Sequence, residues 1–146
     1  MTIMKPFSLD VVLKYRKRQK DRARNRYQEA QNQYNIVKQE LLAQQAKRAS
    51  LVNDLSQLHL QGIDITKHIR YENHIELLQA EIDLLKEKLK KKQEKIVRER
   101  TFLLKKSQEH KVMDKLKEKQ NLAWQQHLEK KEATMTDEMA ILYRNR

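Results

Sequence analysis

The stretch Gln61-Gly-Ile-Asp-Ile-Thr66 contains the only glycine of the 146-residue chain. A glycine after the last turn of a helix permits the left-handed backbone conformation that stops the helix, and Asp64 or Thr66 can cap a second helix. Tight turns draw on glycine and proline, and the chain has one of each, so it can turn tightly very few times. The sequence therefore predicts two long helices joined by a turn at about 61–65.

Apolar residues on the N-terminal side of this turn recur with alternating spacings of four and three, as in a coiled coil. The first helix is expected to cover about 9–60, with Ser8 as its N-cap and Asp10 in its first turn. Eleven of the fifteen spaced positions from Leu9 to Leu58 are apolar or tyrosine. The four polar interruptions are Arg16, Lys20, Gln44 and Arg48. We interpret this pattern as a helix–helix seam with polar interruptions.

The same spacing returns on the C-terminal side of the turn. It runs from His68 to Leu103 and then degrades, so a shift of register is expected near 106–116. Helix 2 is expected to cover about 66–143. One turn at Gly62 makes the two helices antiparallel, with Leu9 near the level of Lys115. Because helix 2 is the longer one, about 40 Å of it would extend beyond the start of helix 1.

The expected fold class is therefore all-α: a long two-helix antiparallel coiled-coil hairpin with a C-terminal helical overhang. We expect residues 1–146 to form a single coiled-coil rod that is monomeric when free. Trp124 lies on the predicted overhang, where it can serve as an interface anchor for a partner or pack locally.

Basic charge is concentrated in two segments of a chain that carries 32 Lys+Arg and 20 Asp+Glu, a net charge of +12. Residues 14–26 and 86–106 each have a net charge of +7, and the hairpin would bring them level as a basic collar. The collar can bind an acidic protein ring or nucleic acid, or can be a solvated face. An acidic protein is favoured, because no nucleic-acid reader motif is present. The collar residues are Lys14, Arg18, Arg22, Arg24, Arg26, Lys90, Lys91 and Lys92.

The composition argues against an enzyme. One glycine cannot supply a glycine-rich phosphate loop, and without cysteine there is no thiol nucleophile. The five histidines lack the helical spacing of a metal site, so no metal or cofactor is expected. No apolar run approaches the roughly 20 residues that span a bilayer, and the first residues lack the apolar stretch of a secretory signal. A cytoplasmic protein is the expectation.

Three stretches resemble the FliJ family, the stalk protein of the flagellar type III export ATPase. They are Phe7-Ser-Leu-Asp-Val-Val-Leu-Lys-Tyr-Arg16 at the start, Gly62-Ile-Asp-Ile-Thr66 with Tyr71, Ile75 and Leu78 after the turn, and Lys115-Leu-Lys-Glu118 with Glu132 and Asp137-Glu-Met-Ala140 near the end. Stalk proteins of virulence injectisomes share this architecture and are the nearest alternative.

The resemblance implies a non-catalytic protein of flagellum biogenesis and chemotaxis, cytoplasmic and peripheral to the inner membrane. Its termini would enter a hexameric export ATPase and promote ring assembly, while the region after the turn would contact the cytoplasmic domain of the export gate. Export chaperones are further implied partners. The implied ATPase-facing residues are Leu9, Leu13, Arg16, Lys17, Trp124, Glu132, Asp137 and Glu138. The implied gate-facing residues are His74, Leu78, Glu81 and Leu85.

A free-standing basic scaffold or nucleic-acid-binding coiled coil is the competing class. Such a protein would be a homodimer of extended helices, with Gly62 beside its copy in a parallel pair. A monomeric hairpin would instead bring the two termini to the same end. The mass in solution and the distance between labels at positions 9 and 115 separate these classes.

Overall fold

A computed structural model of the chain describes residues 8–145. This part of the chain forms two α-helices, α1 (Asp10–Gln61) and α2 (Ile65–Arg144), and contains no strand. Contacts between the helices make an antiparallel hairpin, so the predicted all-α fold class is confirmed. Phe7, where the first matching stretch begins, lies outside the described residues.

The turn has the conformation that its glycine allows. Gly62 has a φ of 83°, in the left-handed region, and its N–H donates to the His59 carbonyl at 3.4 Å. The Asp64 carbonyl accepts the first bond of α2 from the His68 N–H at 3.0 Å. Asp64 therefore holds the cap position at the start of α2.

Replacing Gly62 with alanine is expected to destabilise the hairpin by about 1 kcal/mol, because a Cβ disfavours the left-handed conformation. A Cβ at this position would meet no atom within 4 Å, so the cost is a backbone cost alone. Urea unfolding measures it, and sedimentation tests whether the chain opens into extended dimers. Asparagine tolerates this conformation better, so Gly62→Asn is the control with the smaller loss. Equal stability of the alanine variant and the parent chain would contradict this account.

The hairpin divides into two compact units. One comprises Arg24–Phe102 and contains the turn, and the other comprises Met1–Ala23 together with Leu103–Arg146. We call them the turn unit and the terminal unit. Each unit is a pair of helical segments, one from α1 and one from α2.

The core of the turn unit lies on the predicted seam. Its buried apolar residues all occupy four-three positions, and the polar interruptions Gln44 and Arg48 are half-buried at theirs. Leu55 and Leu58 are also half-buried, so the side chains of the seam become less buried toward the turn. The buried apolar positions are Ala30, Val37, Leu41, Leu78 and Ile82. The four-three spacing alone thus predicted which residues are buried between the two helices.

In the terminal unit the expected register shift is wrong. Val112 and Leu116 are 65% and 44% exposed, whereas Lys106 and Lys117 are half-buried. The four-three spacing therefore continues beyond Leu103, through polar residues. Lysine can fill such positions because its alkyl stem packs against the other helix while its ammonium group reaches a carboxylate. The half-buried positions that continue the spacing are Lys106, His110, Met113, Lys117, Gln120 and Trp124.

The C-terminal part of α2 is helical and exposed. Residues 129–145 are all exposed, so the predicted overhang begins after Leu128. Thr134 and Thr136 do not interrupt the helix, and their hydroxyls donate to the carbonyls of Lys130 and Glu132, both at 2.9 Å. Within the described range 8–145, neither helix has a segment long and apolar enough to cross a membrane.

Candidate functional site

Ion pairs hold the two helices of the terminal unit together. The Glu109 carboxylate accepts from Arg16 Nη1 at 3.0 Å, across the helix pair, and from Lys106 Nζ at 3.3 Å along α2. Arg16 also donates to the Gln19 side chain at 3.2 Å. Arg16, which the family resemblance placed at the ATPase interface, therefore has a role inside the unit.

A second carboxylate, Asp10, ties the start of α1 to α2. It pairs with Lys14 at 3.2 Å and with Lys117 at 3.5 Å. A hydrogen bond from Lys14, supported by Lys117, lowers the pKa of the Asp10 carboxyl. A carboxyl with a lowered pKa in the folded state stabilises that state above its unfolded pKa and loses this contribution as the pH falls through the folded value. Acid therefore weakens the pairing of α1 with α2 at Asp10.

The outer face of α1 in the terminal unit combines apolar and basic side chains. Val11 is 80% and Tyr15 is 52% exposed, and both line a shallow cleft with Lys14 and Arg18. These residues lie outside the four-three seam, so the cleft was not predicted from the sequence. The signal was available, since Val11, Tyr15 and Arg18 are spaced four and three apart beside the seam positions.

The predicted ATPase-facing residues fall into two groups. Leu13 is buried at 9% exposure and Trp124 is half-buried, with its ring stacked on His127 at a centroid distance of 5.7 Å. Of the two alternatives for Trp124, interface anchor or local packing, the half-burial and the stacking on His127 favour local packing. The exposed group consists of Leu9, Lys17, Glu132, Asp137 and Glu138.

The overhang adds an apolar surface near its end. Met139, Leu142 and Tyr143 are each at least 61% exposed and line a groove together with Asn145. Met135, four residues before Met139, is 56% exposed and extends the same helical face. No described residue covers this surface.

In the turn unit, two basic residues of the predicted collar have partners within the unit. Arg26 Nη2 donates to Glu99 Oε1 at 3.0 Å and its guanidinium lies 5.1 Å from the centre of the Phe102 ring. Glu99 is buried, and its Oε2 has no hydrogen-bond partner among the described residues. Lys92 is half-buried and donates to Gln33 at 3.3 Å. The exposed collar residues of this unit are Arg24, Arg26, Lys90 and Lys91.

The predicted gate-facing residues also divide by exposure. His74 and Glu81 are exposed, Leu85 is half-buried, and Leu78 is buried at 6% exposure within the helix pair. The exposed leucines of this region each come one residue before Leu78 or Leu85 in the sequence. They are Leu77, at 66%, and Leu84, at 72%.

Two comparisons with known proteins give a match. The family described as the flagellar FliJ protein matches residues 4–146. A solved structure of a YscO homolog from Chlamydia trachomatis has the same fold, with a TM-score of 0.57 and 19% identity over 97% of this chain and 96% of that chain. No curated protein matches the chain significantly. The described residues contain no His, Asp or Glu cluster suited to a metal ion.

Proposed function

Because the chain belongs to the FliJ family of flagellar proteins, we propose that it is the stalk of the export ATPase and that its terminal unit enters the hexameric ring. The family is one of non-catalytic stalk proteins, so the chain is not an enzyme. It is a component of the flagellar export apparatus. The ATPase and gate contacts proposed below go beyond this assignment.

The observation that carries the proposal is the exposed apolar face of the overhang. Met135, Met139 and Leu142 recur at four and three residues on a helix that the described part of the chain leaves uncovered. Exposed apolar surface of this kind marks protein interaction sites, because covering it removes the surface from water. A ring that closes around the end of α2 would cover it.

The first turns of α1 offer a second contact to the same partner. Lys17, Arg18 and Arg22 are exposed, and none of them takes part in an ion pair among residues 8–145. Arg18 lines the cleft with Val11 and Tyr15, and Arg22 follows four residues later along α1. A partner with an acidic rim and an apolar centre fits this surface, since charge would steer the encounter and burial would stabilise the complex.

Activation of the ATPase then follows from mass action. A stalk that binds the assembled ring more tightly than it binds free subunits shifts the equilibrium toward the ring. The stalk contributes no catalytic group. Its effect on ATP hydrolysis is therefore expected to disappear at enzyme concentrations at which the ring is already complete.

We assign the gate contact to the exposed face of α2 after the turn. His74, Leu77, Glu81 and Leu84 follow a three-four-three spacing on the outside of the turn unit. Leu78 and Leu85 belong to the seam between the helices and are not part of this exposed face. Substitutions at Leu77 and Leu84 therefore test gate binding without removing seam side chains.

A chain that ends after Leu128 tests the ATPase contact. It lacks the exposed overhang but retains every half-buried position of α2, so its hairpin is expected to stay helical. We expect it to lose stimulation of the cognate ATPase below the concentration of ring assembly. The full chain with Met139→Ser and Leu142→Ser is expected to lose part of the stimulation. Circular dichroism confirms the fold of both, and full stimulation by the shortened chain would place the contact elsewhere.

A further inference from the structure

A row of basic side chains runs along one face of α2 in the turn unit. Lys88, Lys91, Lys95 and Arg98 follow a three-four-three spacing, which places them on one side of the helix over about 15 Å. Lys95 is half-buried and the other three are exposed. We call these four residues the basic row. None of them occupies a seam position, so the hairpin does not need their charge.

The basic row forms no ion pair with the described residues and lies in a segment of net positive charge. Residues 86–102 carry eight basic and three acidic side chains, a net charge of +5. Of the three acids, Glu99 is buried and paired with Arg26. No ion pair among residues 8–145 includes a member of the basic row. The other acidic side chains nearby are Glu29, Glu87 and Glu94.

Two exposed leucines continue the same face toward the turn. Leu77, Leu84, Lys91 and Arg98 are seven residues apart, so they lie nearly on one line along the helix. Leu77 and Leu84 are 66% and 72% exposed. The face therefore combines an end with two exposed leucines, beside which Glu81 is also exposed, with a cationic end.

We propose that this face docks onto an anionic phospholipid surface, with the basic row on the headgroup phosphates and the two leucines in the interfacial layer. A cluster of four or more basic residues on a helix is what such a surface attracts, and exposed leucines add apolar burial to that attraction. The proposal is separate from the ATPase contact, because every residue involved lies in the turn unit. It shares Leu77 and Leu84 with the face proposed for the gate, so lipid and gate would compete for these leucines, and vesicles without gate protein test the lipid contact alone.

Composition favours a lipid surface over two other polyanions. Residues 77–98 contain no aromatic side chain on which the bases of single-stranded nucleic acid could stack. Lysine makes up most of the basic row, and the cores of protein interfaces are depleted in lysine and enriched in aromatic residues and arginine. A flat anionic surface needs neither stacking nor a shaped anchor, because each lysine acts as a point charge.

The test is flotation of the full chain with vesicles of phosphatidylcholine alone or mixed with phosphatidylglycerol. Binding to the mixed vesicles is expected to weaken as salt is added, and binding to the neutral ones to be absent. The variant with Lys88→Gln, Lys91→Gln and Arg98→Gln is expected to bind the mixed vesicles about 100-fold more weakly. The matched control, Lys38→Gln with Lys47→Gln and Lys67→Gln, makes the same change in net charge at exposed sites of the same unit and is expected to keep its affinity.

Three results would overturn the proposal. They are equal binding to neutral vesicles, an equal loss in the two triple variants, and binding to duplex DNA or polyglutamate without binding to vesicles. A separate variant tests the contribution of Leu77 and Leu84 to vesicle binding. Leu77→Ser with Leu84→Ser is expected to remove the binding that survives added salt, and an unchanged salt profile would exclude the apolar contact. Should a variant lose helicity, the salt titration of the unmodified chain still decides the electrostatic part.

Discussion

Replacing Lys17, Arg18 and Arg22 with glutamate is expected to weaken binding of the export ATPase about 100-fold, at up to about 1 kcal/mol for each reversed charge. All three side chains are exposed and outside the ion pairs of the described residues, so their reversal breaks no pair within the terminal unit. Surface charges of this kind act mainly on the rate of association. Stopped-flow binding at several salt concentrations measures the loss of affinity and shows whether it arises from slower association or faster dissociation.

A matched variant separates local charge from net charge. Lys111, Lys115 and Lys119 are exposed on α2 in the same unit and are also free of ion pairs among residues 8–145, so their replacement by glutamate changes the net charge by the same amount. This variant is expected to bind nearly as well as the parent chain. If the two variants lose affinity equally, or if neither responds to salt, the outer face of α1 is not the ATPase contact.

Replacing Trp124 with alanine is expected to destabilise the free chain by about 2 kcal/mol, somewhat less than for a fully buried tryptophan. The reason is that Trp124 is half-buried and stacks on His127, at a position that continues the seam. Thermal unfolding of the isolated chain, monitored by circular dichroism, measures this effect. ATPase stimulation is then expected to fall as a consequence of a loosened terminal unit.

Phenylalanine at this position supplies the control. Trp124→Phe keeps most of the apolar area and a ring that can stack, so it is expected to recover most of the lost stability. Undiminished stability of the alanine variant together with lost ATPase binding would instead restore Trp124 as an interface anchor.

The overhang shows which structural features can be predicted from a sequence pattern and which cannot. Its existence could be predicted because one glycine divides the chain unequally, and helix length follows directly from residue number. Its starting point could not be predicted. The apolar residues after Leu103 suggested a shifted register, yet Lys106 and Lys117 keep the old one by reaching Glu109 and Asp10. Whether the alkyl stem of a lysine packs at a seam position depends on whether a carboxylate lies close enough to pair with its ammonium group.

The sequence by itself determined the helices, the turn at Gly62 and the phase of the seam in the turn unit, because backbone preferences and four-three periodicity are local properties of the chain. The tertiary structure alone decided which candidate residues are available to a partner. One step along a helix rotates a side chain by about 100°, which separates buried Leu78 from exposed Leu77. Likewise, Arg16 is drawn to Glu109 while Lys17 faces solvent, since an ion pair depends on what the second helix places opposite it.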